Sequence, residues 1–145
     1  MTVSVFFKTK AFSPAKDLAA ALKRTARSAL GSKRGKGEVA IVLVGEAEIE
    51  RLNRSFLSHT GVTDVIAFNH PRPAFTPRGA VPPFGDIYIC LPQARRQAEL
   101  MGHSLETELL ILAAHGALHL SGMDDSTPAR RRAMNARTLR LLREI

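Results

Sequence analysis

Tryptophan is absent from this chain, tyrosine occurs once and cysteine once. A lone Cys90 cannot close an intramolecular disulfide, and it excludes any cysteine-rich zinc module. No apolar run approaches the ~20 residues that a membrane-spanning helix needs. The opening Met1-Thr2-Val3-Ser4-Val5 carries no basic segment followed by a long apolar one, so it does not read as a signal peptide. Acid is also scarce, with 13 Asp and Glu against 21 Lys and Arg, a net charge of +8. What remains is the composition of a packed globule: 145 residues, 45% of them hydrophobic, with ample apolar surface to offset the entropy of ordering. The length predicts one domain spanning residues 1–145, in a cytoplasmic protein.

The excess of base is segregated. Up to Lys36 the chain carries Lys8, Lys10, Lys16, Lys23, Arg24, Arg27, Lys33, Arg34 and Lys36, with Asp17 the only acid. Arg130, Arg131, Arg132, Arg137, Arg140 and Arg143 crowd the other end, opposed by Glu144 alone, while the acids concentrate between Glu38 and Asp125. Such a pattern serves solubility, and it is also the electrostatic footprint of a nucleic-acid binder. The two basic ends are expected to form one surface for a polyanion.

Hydrophobic periodicity predicts about four strands and five helices. Val3 to Phe7 alternates as a strand does, and Ser13-Pro14 has the form of a helix N-cap followed by proline at the first helical position. Leu18, Ala21, Leu22, Thr25, Ala29 and Leu30 continue that helix to Gly31, and residues 32–37 form a basic loop. Val39 to Val44 is an unbroken apolar run, as expected of a strand buried on both faces. Ile49, Leu52 and Phe56 mark a second helix, with Glu46 and Glu48 near its positive end. Val62 to Phe68 reads as a third strand, Asn69 to Pro83 as a loop holding five of the eight prolines, and Phe84 to Cys90 as a fourth strand with Cys90 a small buried hydrophobe. Pro92 opens a helix to Met101. Ser104 caps the next, with Glu106 and Glu108 in its first turn, and Leu105, Leu109, Leu112, Ala113 and Leu120 make it apolar enough to be central. Gly122 ends it. Thr127-Pro128 caps a last helix facing inward through Met134, Leu141, Leu142 and Ile145. The pattern predicts a small α+β or α/β domain without internal repeats, and α+β is the expected fold class.

The chemically informative segment runs from His115 to Asp125. His115 and His119 stand at i and i+4, so their imidazoles leave one helix face a turn apart and can share a metal ion. Gly122 permits a sharp turn that brings Asp125, or else Asp124, back towards them. Two imidazoles and one carboxylate leave a fourth position open to water, the pattern of a catalytic zinc site. The spacing resembles that of the metzincin peptidases, which place a glutamate base directly after the first histidine. Gly116 stands at that position, so the proton acceptor for peptide hydrolysis is missing. His59, His70 and His103 are isolated in loops, Asp64 reads as a strand-starting acid, and Asp86 reads equally as a loop cap.

His115 to Asp124 resembles the signature of the YbeY endoribonucleases, also called rRNA maturation factors: His-Gly-x-Leu-His-Leu-x-Gly, an aromatic or histidine, then Asp-His. Met123 stands at the variable position. Two further blocks match in order: Leu52 to Phe56 leading to Thr63-Asp64-Val65-Ile66-Ala67-Phe68, and Gly85 to Cys90. The resemblance implies a small mixed sheet covered by helices, the metal-bearing helix central in a zincin-like arrangement. It implies a zinc-dependent endoribonuclease selective for single strands, acting in 3′-end maturation of small-subunit rRNA and in ribosome quality control. RNA and the ribosome or its small subunit are then the partners, with no membrane and no DNA. The ligands implied are His115, His119 and Asp125, with one Zn²⁺ per chain, and Asp124 orients a ligand or caps the turn.

Two positions depart from the family. Asp125 replaces a histidine; its added negative charge makes a metal's water less acidic and the site more tolerant of harder ions such as Mn²⁺. Leu57 replaces an arginine that engages substrate phosphate, and Arg54, one turn earlier, is the candidate to compensate. The expected chemistry is metal-assisted phosphodiester hydrolysis, attacked by hydroxide or by a ribose 2′-OH. The competing expectation is an RNA-binding assembly factor whose zinc is mainly structural.

Overall fold

The computed structural model describes residues 1–9, 12–31 and 37–144. The expectations for Lys10, Lys33, Arg34, Lys36 and Ile145 therefore fall outside the described residues. Nine elements follow one another: β1 (Thr2–Phe7), α1 (Leu18–Leu30), β2 (Glu38–Val44), α2 (Glu46–Leu57), β3 (Val65–Asn69), β4 (Pro83–Cys90), α3 (Leu91–Met101), α4 (Leu105–Leu120) and α5 (Pro128–Arg143). The strands form one mixed sheet in the order β1-β2-β4-β3, with β1, β2 and β4 parallel and β3 antiparallel to β4. This is the expected α+β architecture.

Alternation along the strands divides the core. Val39, Ile41 and Leu43 of β2 and Ile87 and Ile89 of β4 pack with Leu22, Leu109, Leu112, Ala113 and Leu141 from α1, α4 and α5. Their neighbours Val42, Val44, Cys90 and Ile66 face the opposite side, against Ile49 and Leu52 of α2. Burial on both faces is why β2 reads as a continuous apolar run.

Helix α4 is central, and two glycines let it lie close on the sheet. A Cβ on Gly116 would stand 2.5 Å from Cγ2 of Ile87, and one on Gly85 would stand 2.7 Å from both Leu120 Cδ2 and the Phe68 carbonyl oxygen. Asn69 adds a polar tie, its Nδ2 donating to the Leu120 carbonyl at 3.1 Å.

Two expected boundaries and one expected inward face are corrected. Helix α1 begins at Leu18, with Asp17 as an N-cap whose side chain makes no capping bond, instead of at Ser13-Pro14. Residues 13–17 are exposed throughout, so no buried contact holds a turn there until Leu18 enters the core. Strand β3 begins at Val65 and not at Val62, because Asp64 Oδ1 accepts the Val65 N–H at 2.7 Å and turns the chain before the ladder starts. In α5 the buried side chains are Met134, Leu141 and Thr138; Leu142 is only half-buried, and Thr138 Oγ1 satisfies itself on the Met134 carbonyl at 2.9 Å.

Candidate metal centre

Helix α4 starts where Ser104 Oγ accepts the Thr107 N–H at 3.1 Å. Sixteen residues later it ends at Leu120, and Gly122, at φ 108°, turns the chain into residues 123–127. His115 and His119 lie on its last two turns. The His119 ring is held by its Nδ1, which donates to the Met123 carbonyl at 3.1 Å and leaves the Nε2 lone pair free. A carbonyl cannot donate, so this contact selects the tautomer that a metal ion requires. Burial lowers the His115 pKa; Asp64, Glu108 and Asp125 pull it the other way, and His119 adds to the lowering. His115 is therefore neutral at pH 7, the ligating form of imidazole.

The charges acting on His115 also show which groups surround it. Asp64 stands at the start of β3 and receives Gln97 Nε2 of α3 at 3.4 Å. The sequence marks it only as a turn-forming or strand-starting acid; it is that, and its charge also acts on His115. The sequence marks Glu108 as a first-turn acid, yet it is buried and lies 3.4 Å from His103 Nε2. Its signal was available: Glu108 is seven residues before His115, two helical turns, which puts both on one stripe of α4. His70 also has a partner, its Nε2 3.0 Å from Asp86 Oδ2. That pair lies at the proline-rich loop, whose cleft of about 530 Å³ includes His70 and Arg72 but neither candidate ligand.

The turn after α4 separates the two aspartates. Asp124 Oδ1 accepts from the Ser126 backbone at 3.0 Å and from its hydroxyl at 2.7 Å, and Asp124 Oδ2 receives Arg130 at 3.1 Å. These bonds, led by the Ser126 hydroxyl, lower the Asp124 pKa and commit its carboxylate to bracing the turn. Asp125 is exposed. The structure brings His115 and His119 side by side, but among the described residues no three His, Cys, Asp or Glu side chains converge into a metal-sized cluster.

Residues 6–145 match the family model described as Endoribonuclease YbeY. An endoribonuclease YbeY of Elusimicrobium minutum is 42% identical over 146 residues, covering 100% of each chain. One from Thermus thermophilus is 44% identical over 105 residues, covering 70% of this chain and 73% of its own. The chain belongs to the YbeY family. A solution structure from Thermotoga maritima covers 99% of this chain and 91% of its own with a TM-score of 0.62; at 24% identity it bears on the fold alone.

The YbeY match runs through every element that builds the centre, and it gives the two departures a place. Leu57 ends α2, partly exposed, and Arg54 lies exposed in the last turn of that helix. Helix α2 packs through Ile49 and Leu52 on the sheet face opposite α4. In this YbeY-family chain Gly116 also has a packing reason. A glutamate there would collide with Ile87, so the peptidase base is excluded by the close seat of α4 on β4.

Proposed function

We propose that this chain is a metal-dependent endoribonuclease that cuts single-stranded RNA, with His115, His119 and Asp125 holding one divalent ion, zinc first. The observation that carries the proposal is the His115–His119 pair: one imidazole kept neutral by burial, the other locked through Nδ1 with Nε2 presented. Two imidazoles and a carboxylate suit zinc and tolerate Mn²⁺. When bound, the ion supplies Lewis-acid polarisation of a phosphoryl oxygen and a more acidic water.

The chain's own residues do the rest. The Met123 carbonyl fixes the His119 ring, and Asp124, tied to Ser126 and Arg130, holds the turn that presents Asp125. Helices α1 and α5 both pack on the α4 side of the sheet, so exposed Arg24, Arg27, Arg131 and Arg132 lie on the side that carries the histidines. They supply the sequence-independent attraction for phosphate. Family membership supports the finer reading: maturation of the small-subunit rRNA 3′ end and ribosome quality control in the cytoplasm, with the small subunit as partner. Among the described residues no helix is long and apolar enough to cross a membrane.

The test is cleavage of end-labelled rRNA bearing a single-stranded 3′ tail, by wild type and His119→Ala prepared in parallel, with and without added Zn²⁺. Cleavage by wild type alone, together with loss of bound metal in the variant, supports the proposal. Equal cleavage by both proteins overturns it.

A further inference from the structure

Beside His115 lies a cavity of about 400 Å³ between α3, α4 and α5, walled by Met101, Leu139, Ile111, Asn135, Glu108 and His115 itself. We infer that it is a nucleobase pocket, one that selects guanine and rejects uracil at a nucleotide next to the scissile phosphate. The inference rests on the ribonuclease reading and adds to it a base preference.

Three observations converge. The mouth is apolar where a surface usually is not: Met101 is 71% exposed and Leu139 56% exposed. Flat apolar walls of this kind take the face of a base, and such stacking is a principal source of affinity for single strands. The floor is charged. Glu108 is 5% exposed and its Oε2 meets His103 Nε2 at a long 3.4 Å. Among the described residues only Thr9 Oγ1 is an enclosed side-chain polar atom without a partner. Glu108 Oε1 also has no partner among the described residues, so it is not enclosed; as part of the cavity lining it opens on the cavity. Finally, Arg131 and Arg132 stand one turn before Asn135 on α5, and neither is ion-paired with a described residue. Apolar walls, a recessed acceptor and a basic rim complement a nucleotide better than an apolar peptide.

The carboxylate decides which base. Guanine offers N1–H and N2–H side by side on its pairing edge, and the two lone pairs of the open Glu108 Oε1 can accept from both in charge-assisted bonds while Oε2 stays against His103. Uracil presents a single N–H between two carbonyls, whose lone pairs face the same carboxylate. Adenine and cytosine, with one amino donor beside an acceptor, fall between. An enzyme that reads an unstacked base does so through this edge and through stacking.

The experiment titrates the full-length protein with guanosine and with uridine 5′-monophosphate, following the methyl resonances of Met101, Ile111 and Leu139. Guanosine monophosphate should shift all three and bind at least tenfold tighter than uridine monophosphate. Glu108→Gln should erase that preference, and Leu139→Ala, at an exposed position, should weaken both ligands. Equal binding of the two nucleotides by wild type, or no methyl shift with either, would overturn the inference. A parallel arm compares cleavage of single-stranded oligomers differing only by G or U beside the cut. Cleavage without base preference defeats the pocket and leaves the ribonuclease standing; guanosine binding that Glu108→Gln abolishes, with no cleavage of any RNA, supports the pocket and defeats the ribonuclease.

Discussion

Gly116 shows how much one missing side chain decides. From the sequence it is a glycine where a peptidase has its base; in the structure it is the point where α4 touches Ile87 of β4. Gly116→Ala should be destabilising, because overpacking against a fully buried isoleucine costs about 1–3 kcal/mol and exceeds the ~1 kcal/mol that alanine gains over glycine in a helix. Urea unfolding checks this, and Ile87→Ala should cost less in the Gly116→Ala background than in wild type, since it removes the clashing methyl. Cys90 tests burial on the other face. Burial raises its thiol pKa, the Gln93 backbone partly offsetting this. The folded state therefore keeps a proton that the unfolded chain releases above about pH 9, so stability falls as pH rises through that range. Denaturation midpoints at pH 8 and pH 10 should differ less for Cys90→Ala than for wild type, and the native thiol should resist aromatic disulfide reagents until the protein unfolds.

At the scale of elements, α4 carries both candidate ligands and is anchored at each end by a side chain. Ser104 caps its start, Asn69 of β3 donates to its last carbonyl, and the glycines at 85 and 116 set its distance from the sheet. Ser104→Ala should lower stability by about 1 kcal/mol, measured by urea unfolding, without changing the metal content of the folded protein. The capping motifs of α4 and α5 were legible because their bonds are local, spanning three residues. The start of α1 was misread for the complementary reason. Ser13-Pro14 has the chemistry of a helix start, but a first turn with no buried side chain does not repay the entropy of forming it, and the helix waits for Leu18.

For the molecule as a whole, α1 and α5 bring an excess of base to the side of the sheet where α4 lies. Both α1 and α5 lie on the α4 face of the sheet, and the exposed arginines they carry add to a net charge of +8. Affinity for single-stranded RNA should fall as salt rises, each neutralised phosphate contributing about −0.7 to the log–log slope. Arg131→Ala with Arg132→Ala should make that slope shallower by about 1.4 if each arginine holds one phosphate. A slope unchanged by the pair of substitutions would place the RNA elsewhere on the surface.

Sequence by itself determined what depends on spacing along the chain: the apolar run of β2, the capped helices, and two histidines one turn apart on a helix from which a glycine then turns the chain away. Those features follow from the 3.6- and 2-residue periods and from bonds between near neighbours. Only the tertiary structure decided what depends on separate segments meeting. It brought the charges of Asp64, just before β3, and Glu108, two helical turns earlier, to act on His115, tied Asp124 to Ser126 and Arg130 while leaving Asp125 exposed, and hollowed a cavity between α3, α4 and α5. Burial, and with it the neutral state of His115, is a property of that packing and not of any residue's place in the chain.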